Sequence, residues 1–406
     1  MILGASYPSL TACSTSGRKS SPDESRSWDD FRPKILHAAG KASDFYAPLF
    51  KAKVQKLLHP IEESNFRSIP LNLIEDFSTA MKLSLAIYSN IVDGIPLSTG
   101  NDDLPDCVAK YDHVTKTLWI ISRGTHTADD VISDMSWLTS TEKIGHLDIP
   151  FGVVARCKKI TPKLLDHLVI LQIQKADVKK MIFIGHSLGG SVALGLYLSW
   201  HVDKEVARGG KVYNDRLETS VISIGAPLLI SNPKSEFRVG NPPSKNEIPD
   251  NKKFSGVTGH ARNVHNIVMG MDIVPRILGE HPLPNCISEA TEAMGFGDLN
   301  QKLSSSNIHR GTYQPYGNFY SLREEDNVLD KGLINILNFG KDDNNANSRD
   351  KVPFLLGRVS DPKTFLSCFP DNVIDIAYSI HRDHRLIEST RAIDAALKHA
   401  KGFGDW

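Results

Sequence analysis

No stretch of this sequence is apolar for long enough to span a bilayer. The longest apolar run, around Ser191 to Trp200, is about half the length needed and includes Gly and Ser. Neither sign of charge dominates. With 47 basic and 47 acidic side chains the formal net charge is zero, so no overall field favours nucleic acid. Cysteine is scarce and unpatterned. Cys13, Cys107, Cys157, Cys286 and Cys368 are odd in number and never form a Cys-x-x-Cys pair. That argues against a disulfide framework or a zinc site and fits a reducing, intracellular compartment. No Asn-x-Ser/Thr sequon occurs, which argues against a secreted glycoprotein. Residues 1–28 are rich in Ser but lack early arginines, and Asp23 and Glu24 are unlike a transit peptide. Leu10-Thr11-Ala12-Cys13 is similar to a lipoprotein cleavage site, without the basic leader and with Pro8 interrupting the apolar stretch. Residues 1–32 are read as a disordered tail, with a targeting segment as the alternative.

What is present is ample core material: 406 residues, 40% of them hydrophobic, enough for one large domain with extensions or for two domains. Residues 33–74 are expected to form a helical extension. Phe45, Leu49, Phe50, Val54, Leu57 and Leu58 stand among lysines 41, 51, 53 and 56. Such a helix packs on the main domain or lies on a membrane surface. From Glu75 to Asn90 the apolar spacing is that of a helix, with Phe77, Ala80, Met81, Ser84, Leu85 and Tyr88 on one face. Val108 to Tyr111 and Leu118 to Ser122 are expected to pair as strands about an Asp112–Lys116 turn. A second helical pattern runs from Gly152 to Ile173, where Pro162 is expected to kink or split it. Met181 to Ile184, Val221 to Ile224 and Val264 to Met269 are short apolar runs, as in strands buried on both faces. A helix from Ser191 to Trp200 follows the first of them. Strands alternating with helices imply a mostly parallel sheet covered on both sides. Residues 231–262 and 340–351 are loop-like insertions by composition, and no internal repeat is evident.

The chemistry centres on Gly185-His186-Ser187-Leu188-Gly189-Gly190. It fits Gly-x-Ser-x-Gly between a buried strand and a helix, the context of a nucleophile elbow. Small flanking residues let strand and helix approach closely. His186, inside the elbow, is assigned a structural role. A serine needs an adjacent base, and in this type of fold an acid and then a histidine follow it in the chain. Asp272, just past a buried strand and before Pro275, is the best acid. His281, His309, His381 and His384 all follow it, and position alone does not choose among them.

These motifs together make the chain resemble the class 3 lipases, fungal-type α/β-hydrolases with plant-type members, over roughly residues 75–395. The elbow matches. Ile121-Ser122-Arg123-Gly124-Thr125 is similar to the family's oxyanion strand, and Asp130 and Asp134 to the aspartates that follow it. Ile224-Gly225-Ala226-Pro227, Asp272-Ile273-Val274-Pro275-Arg276 and Tyr313-Gln314-Pro315-Tyr316-Gly317-Asn318-Phe319-Tyr320 resemble later family segments. Arg382-Asp383-His384-Arg385-Leu386 is similar to its Asp-His pair, so the resemblance implies His384 as the base, with His381 in reserve. Two positions depart from the family. Ser389 replaces a frequent tyrosine, and Ile149-Pro150-Phe151-Gly152 stands where a His-x-Gly motif is usual.

The resemblance implies an α/β-hydrolase fold with a lid after the oxyanion strand. It also implies ester cleavage by Ser187, Asp272 and His384, with an oxyanion hole from the N–H groups of Leu188 and Thr125. No metal or cofactor is needed. The lid would be residues 126–138, with Val131, Ile132, Met135, Trp137 and Leu138 on one face and Asp129, Asp130 and Asp134 on the other. An ordinary core helix is the alternative there. The expected partners are a lipid ester and, transiently, a membrane or lipid-droplet surface, with no nucleic acid; oligomeric state is not read. An acylglycerol lipase is the first expectation and a phospholipase A1 or galactolipid esterase the second. A non-catalytic lipase-like scaffold is the reading outside enzymes.

Overall fold

A computed structural model describes residues 62–63, 69–100, 104–124, 141–145, 147–202, 217–231, 258–272, 274–276, 313–324, 354–368 and 386–402. In chain order these form β1 (Glu62–Glu63), α1 (Leu71–Tyr88), β2 (Ile95–Thr99), β3 (Pro105–Asp112), β4 (Thr117–Ser122), β5 (Thr141–Ile144), β6 (Leu147–Pro150) and α2 (Phe151–Ile173). There follow β7 (Lys180–His186), α3 (Leu188–Val202), β8 (Glu218–Ile224), β9 (Ile230–Ser231), α4 (Thr258–Ala261), β10 (Val264–Met269) and a 3-10 turn (Val274–Arg276). The last are β11 (Tyr313–Gln314), β12 (Asn318–Glu324), β13 (Phe354–Val359), α5 (Pro362–Ser367) and α6 (Leu386–Gly402).

Nine strands form one sheet in the order β1-β13-β12-β10-β8-β7-β4-β3-β2. The five strands from β12 to β4 run parallel, and antiparallel strands flank them on both sides. This is the expected α/β-hydrolase class, with its parallel part in the centre. Side chains alternate across the sheet, as strand geometry requires. Leu118, Ile120, Met181 and Phe183 enter one core with α2 and α3. Trp119, Ile121, Ile182 and Ile184 enter the other with α1 and α6. Strands β11-β9-β6-β5 make a second, small sheet.

Local sequence explains the elements that hold the site. The Asp112 carboxylate accepts from the Val114 N–H and the Thr115 hydroxyl, both at 2.8 Å, and closes the β3–β4 turn. Residues 181–200 are all buried, so α3 is a helix with no polar face, enclosed on every side.

Three expectations change. Pro162 neither splits α2 nor ends it; the helix is continuous from Phe151 to Ile173. The carbonyl that the proline leaves without a donor belongs to Lys158, on the exposed side, where water can serve it. The segment 231–262 is not all loop, since Ser231 closes β9 and Thr258–Ala261 is a helical turn. Finally, the expected helical extension over residues 33–74 contains a strand: Glu62–Glu63 pair with Arg358 and Val359 of β13. The helix expected within 33–60 and the loop at 340–351 lie outside the described residues.

Candidate active site

Ser187 sits between β7 and α3 at φ 55°, left-handed backbone that a side chain rarely adopts. The turn is held by the Ser187 N–H to the Ile224 carbonyl and by the Gly190 N–H to the Ser187 carbonyl, each 2.9 Å. A Cβ on Gly185 would run into the Gly189 carbonyl. One on Gly189 would lie 2.7 Å from the Arg123 carbonyl carbon and from the Gly124 nitrogen. One on Gly124 would meet the His186 carbonyl and lie 3.2 Å from the Ser187 Cβ. The end of β4, the elbow and the first turn of α3 thus touch backbone to backbone, which only glycine permits. Leu188 opens α3, so its N–H belongs to the unbonded first turn of a helix.

His186 packs against the end of α1. Its Nδ1 lies 3.2 Å from the Tyr88 hydroxyl, and the two rings meet edge-on. Burial pushes the Tyr88 phenol well above its usual pKa, and the Gly124 N–H donates to it. Arg123 is buried and donates to Asp106 through its backbone N–H at 2.8 Å and its guanidinium at 3.3 Å. Both bonds fix the β4 end against β3.

Asp272 lies three residues past the end of β10 and is 1% exposed. Its Oδ1 accepts the Val274 N–H at 3.0 Å. Registers align His186, Ile224 and Ile267 across β7, β8 and β10. Ser187 and Asp272 therefore emerge at the same edge with one strand between, about 10 Å from strand axis to strand axis. Arg276, fully buried, secures this loop. It donates to the Asp272 carbonyl at 2.7 Å, the Gly270 carbonyl at 3.3 Å and the Cys368 carbonyl at 2.9 Å, and it lies 4.6 Å over the Phe365 ring.

Thr125, the lid residues Val131, Ile132, Met135, Trp137 and Leu138, and the histidines 281, 309, 381 and 384 lie outside the described residues. α6 begins two residues after His384, and the Ser389 hydroxyl lies 3.3 Å from the Met269 sulfur. The start of the last helix is thus joined to the strand that leads into Asp272. A serine at 389 fits because it is 3% exposed and faces the bulky Met269. At the other departure, Ile149 is fully buried, while Phe151 opens α2 with half its surface exposed. Tyr88 and Arg276 are the supports that sequence reasoning passed over. Tyr88 was legible only as one more apolar position on α1. Arg276 stood inside a recognised motif without a role.

Residues 119–281 match the family described as lipase (class 3). Similar solved structures include the Rhizomucor miehei lipase propeptide complex, 14% identical over 78% of this chain and 80% of that one, with a TM-score of 0.40. A triacylglycerol lipase from Penicillium expansum is 18% identical over 62% of this chain and 80% of that one, with a TM-score of 0.33. The Lip2 lipase of Yarrowia lipolytica is 17% identical over 52% and 76%, with a TM-score of 0.35. Comparison with curated proteins gives no match.

Proposed function

We propose that this chain, whose residues 119–281 match the class 3 lipase family, is a lipid ester hydrolase that cleaves acylglycerols with a Ser187–His384–Asp272 triad. The observation that carries the reading is the left-handed Ser187, lodged between the end of β4 and the first turn of α3. Such strain persists where surroundings enforce it, and it places a hydroxyl at a helix N-terminus.

His384 takes the Ser187 proton as the hydroxyl oxygen attacks the ester carbonyl. Asp272 holds the imidazole in the required tautomer and balances the imidazolium. Its support is the burial of Asp272 and the contact between Ser389 and Met269, which brings the chain after His384 to the acid loop. The oxyanion accepts from the N–H groups of Leu188 and Thr125. The contact of Gly124 with Ser187 supports Thr125 in that role. His384 returns the proton to the departing alcohol, and water then releases the acid. Residues 126–138 act as a lid whose apolar side opens onto a membrane or lipid-droplet surface.

The test is labelling by a fluorophosphonate, which reacts with an activated serine. The wild type is expected to label and to hydrolyse a short-chain ester. Ser187→Ala should do neither, with an unchanged melting temperature. His384→Ala should lose at least about a hundredfold more rate than His381→Ala. An unlabelled wild type would mean a lipase-like scaffold. Profiling against neutral glycerides, phospholipids and galactolipids then decides the substrate class, with neutral glycerides expected to lead. A rate that jumps at the solubility limit of a sparingly soluble ester, less so in Trp137→Ser, is the expected mark of the lid.

A further inference from the structure

At the other end of the sheet is a cleft of about 500 Å³. It lies where β3 ends, β2 and β7 begin and α2 stops. Lys175 to Asp177 precede β7 and Ser187 follows it, so the cleft is about 20 Å from the nucleophile. The catalytic reading makes no use of it.

Three features single it out. Lys110, Lys116 and Lys175 line it, and none is ion-paired among the described residues. His167 also lines it and is 5% exposed. Its Nδ1 and the buried hydroxyl of Tyr111, on the same wall, have no hydrogen-bond partner among the described residues. Buried polar atoms are almost always satisfied in folded proteins, so two in one cleft need a reason.

The third feature is the backbone. Four described residues other than glycine are left-handed: Asn90, Lys116, Lys175 and Ser187. One is the nucleophile, and two are lysines of this cleft. Lys175 follows α2 in a Schellman turn, with the Ala176 N–H on the Leu171 carbonyl and the Lys175 N–H on the Gln172 carbonyl, each 2.9 Å. Glycine or asparagine is the usual residue at that position. Two lysines held in strained backbone, with their side chains on one cavity, point to a use for the side chains.

Charge and shape narrow the ligand. Asp93 and Asp177 also line the cleft, and Asp177 pairs with Lys179 at 3.6 Å, so the three ammoniums outnumber the carboxylates left to them and suit an anion. The remaining wall includes Ile95 and Leu171. Ile170, on the stripe of α2 between His167 and Gln174, is 46% exposed, and Ile173 is 74% exposed. An aliphatic chain leaving the cleft would cover them.

We infer that this cleft binds a long-chain fatty acid as its carboxylate. The head sits among Lys110, Lys116 and Lys175 with Tyr111 and His167 donating, and the chain lies along Ile95 and Leu171. The inference rests on the proposed hydrolysis only in that such an acid is its product; the charge and the apolar wall are independent of it.

The experiment is calorimetric titration of the full chain, with Ser187 blocked by an alkyl fluorophosphonate, using oleate below its micelle concentration. One oleate per chain is expected. Oleyl alcohol, without the charge, should bind at least about tenfold more weakly. Lys116→Gly combined with Lys175→Gly should weaken oleate by about tenfold or more, while the melting temperature holds or rises because glycine relieves both left-handed positions. No binding of oleate, equal binding by the double variant, or tighter binding of inorganic phosphate would each overturn the proposal. Failure of the phosphonate to label Ser187 counts against the hydrolase reading alone. In that case the Ser187→Ala chain is titrated, and the lysine dependence still decides the cleft.

Discussion

The hydroxyl of Tyr88, the last residue of α1, lies 3.2 Å from Nδ1 of His186 and accepts the N–H of Gly124. One phenol oxygen therefore joins the residue before the nucleophile to the residue before Thr125. These are the two arms that carry the proposed oxyanion donors. Removing that oxygen should disturb catalysis more than folding. Tyr88→Phe is expected to lower kcat about tenfold with KM little changed, and to lose about 1 kcal/mol of stability. Steady-state kinetics on a short-chain ester, with denaturant melts alongside, provide the check. An unchanged kcat would mean that the glycine contacts alone hold the two arms.

Glycines of α3 differ in what surrounds them. An added Cβ on Gly189 meets backbone of β4, which cannot yield. An added Cβ on Gly195 meets the Cys157 sulfur at 2.8 Å and a Val153 methyl at 2.9 Å, side-chain atoms rather than backbone. Gly189→Ala should abolish fluorophosphonate labelling. Gly195→Ala should keep it, with stability within about 1 kcal/mol of wild type, since helix propensity offsets crowding. Comparable labelling by both variants would contradict the backbone contact.

Arg276 satisfies three carbonyls from a fully buried position. Arg276→Met would leave those carbonyls without donors, at about 1–3 kcal/mol each if none relaxes. A large fall in the unfolding midpoint is expected. Arg276→Lys keeps the charge but not the planar fork, so it should recover part of the stability and less of the ester hydrolysis. If lysine restores both fully, the geometry of the acid loop does not depend on the guanidinium.

Histidines make stability depend on pH. Burial holds His201 and His265 at about 4, helped by His260 near the first and by Lys180 and Arg358 near the second. The unfolded chain binds these protons from about pH 6.5 downward and the folded chain does not. Their contribution is therefore complete above about pH 6.5 and is lost as the pH falls towards 4. Between pH 7 and 5 the loss is about 1–2 kcal/mol for each. Thermal melts across that range should show it, and His265→Gln should flatten the curve. A melting temperature that rises on acidification would refute the assignment.

Much of this architecture was legible because single residues announce their geometry. Asp112 marked its turn, unbroken apolar runs marked β7, β8 and β10, and the glycines around Ser187 marked the elbow. Of the kink or split expected at Pro162 the split does not occur, because α2 runs on through it. The same logic missed β1, whose two glutamates carry no strand signal and are recruited by backbone pairing with β13. Tyr88 and Arg276 were hidden for another reason. Their roles come from contacts between α1 and the elbow, and between the 3-10 turn and the C-terminal end of α5, which no local pattern encodes. The cleft of Lys110, Lys116 and Lys175 is likewise assembled from separate segments.

The pairing of α1 with α6 sets a timetable. The Ser78 hydroxyl donates to Asp394 at 2.6 Å across 316 positions, Lys82 pairs with the same carboxylate, and Lys401 pairs with Glu75. At about 5–20 residues per second of synthesis, α1 would leave the ribosome roughly 15–60 s before its partner exists. During that interval Phe77, Met81 and Ile87 lack part of their cover. Until then that apolar face of α1 is open to aggregation. The fold closes only once residues 386–402 have been made, when the helix after His384 packs on α1.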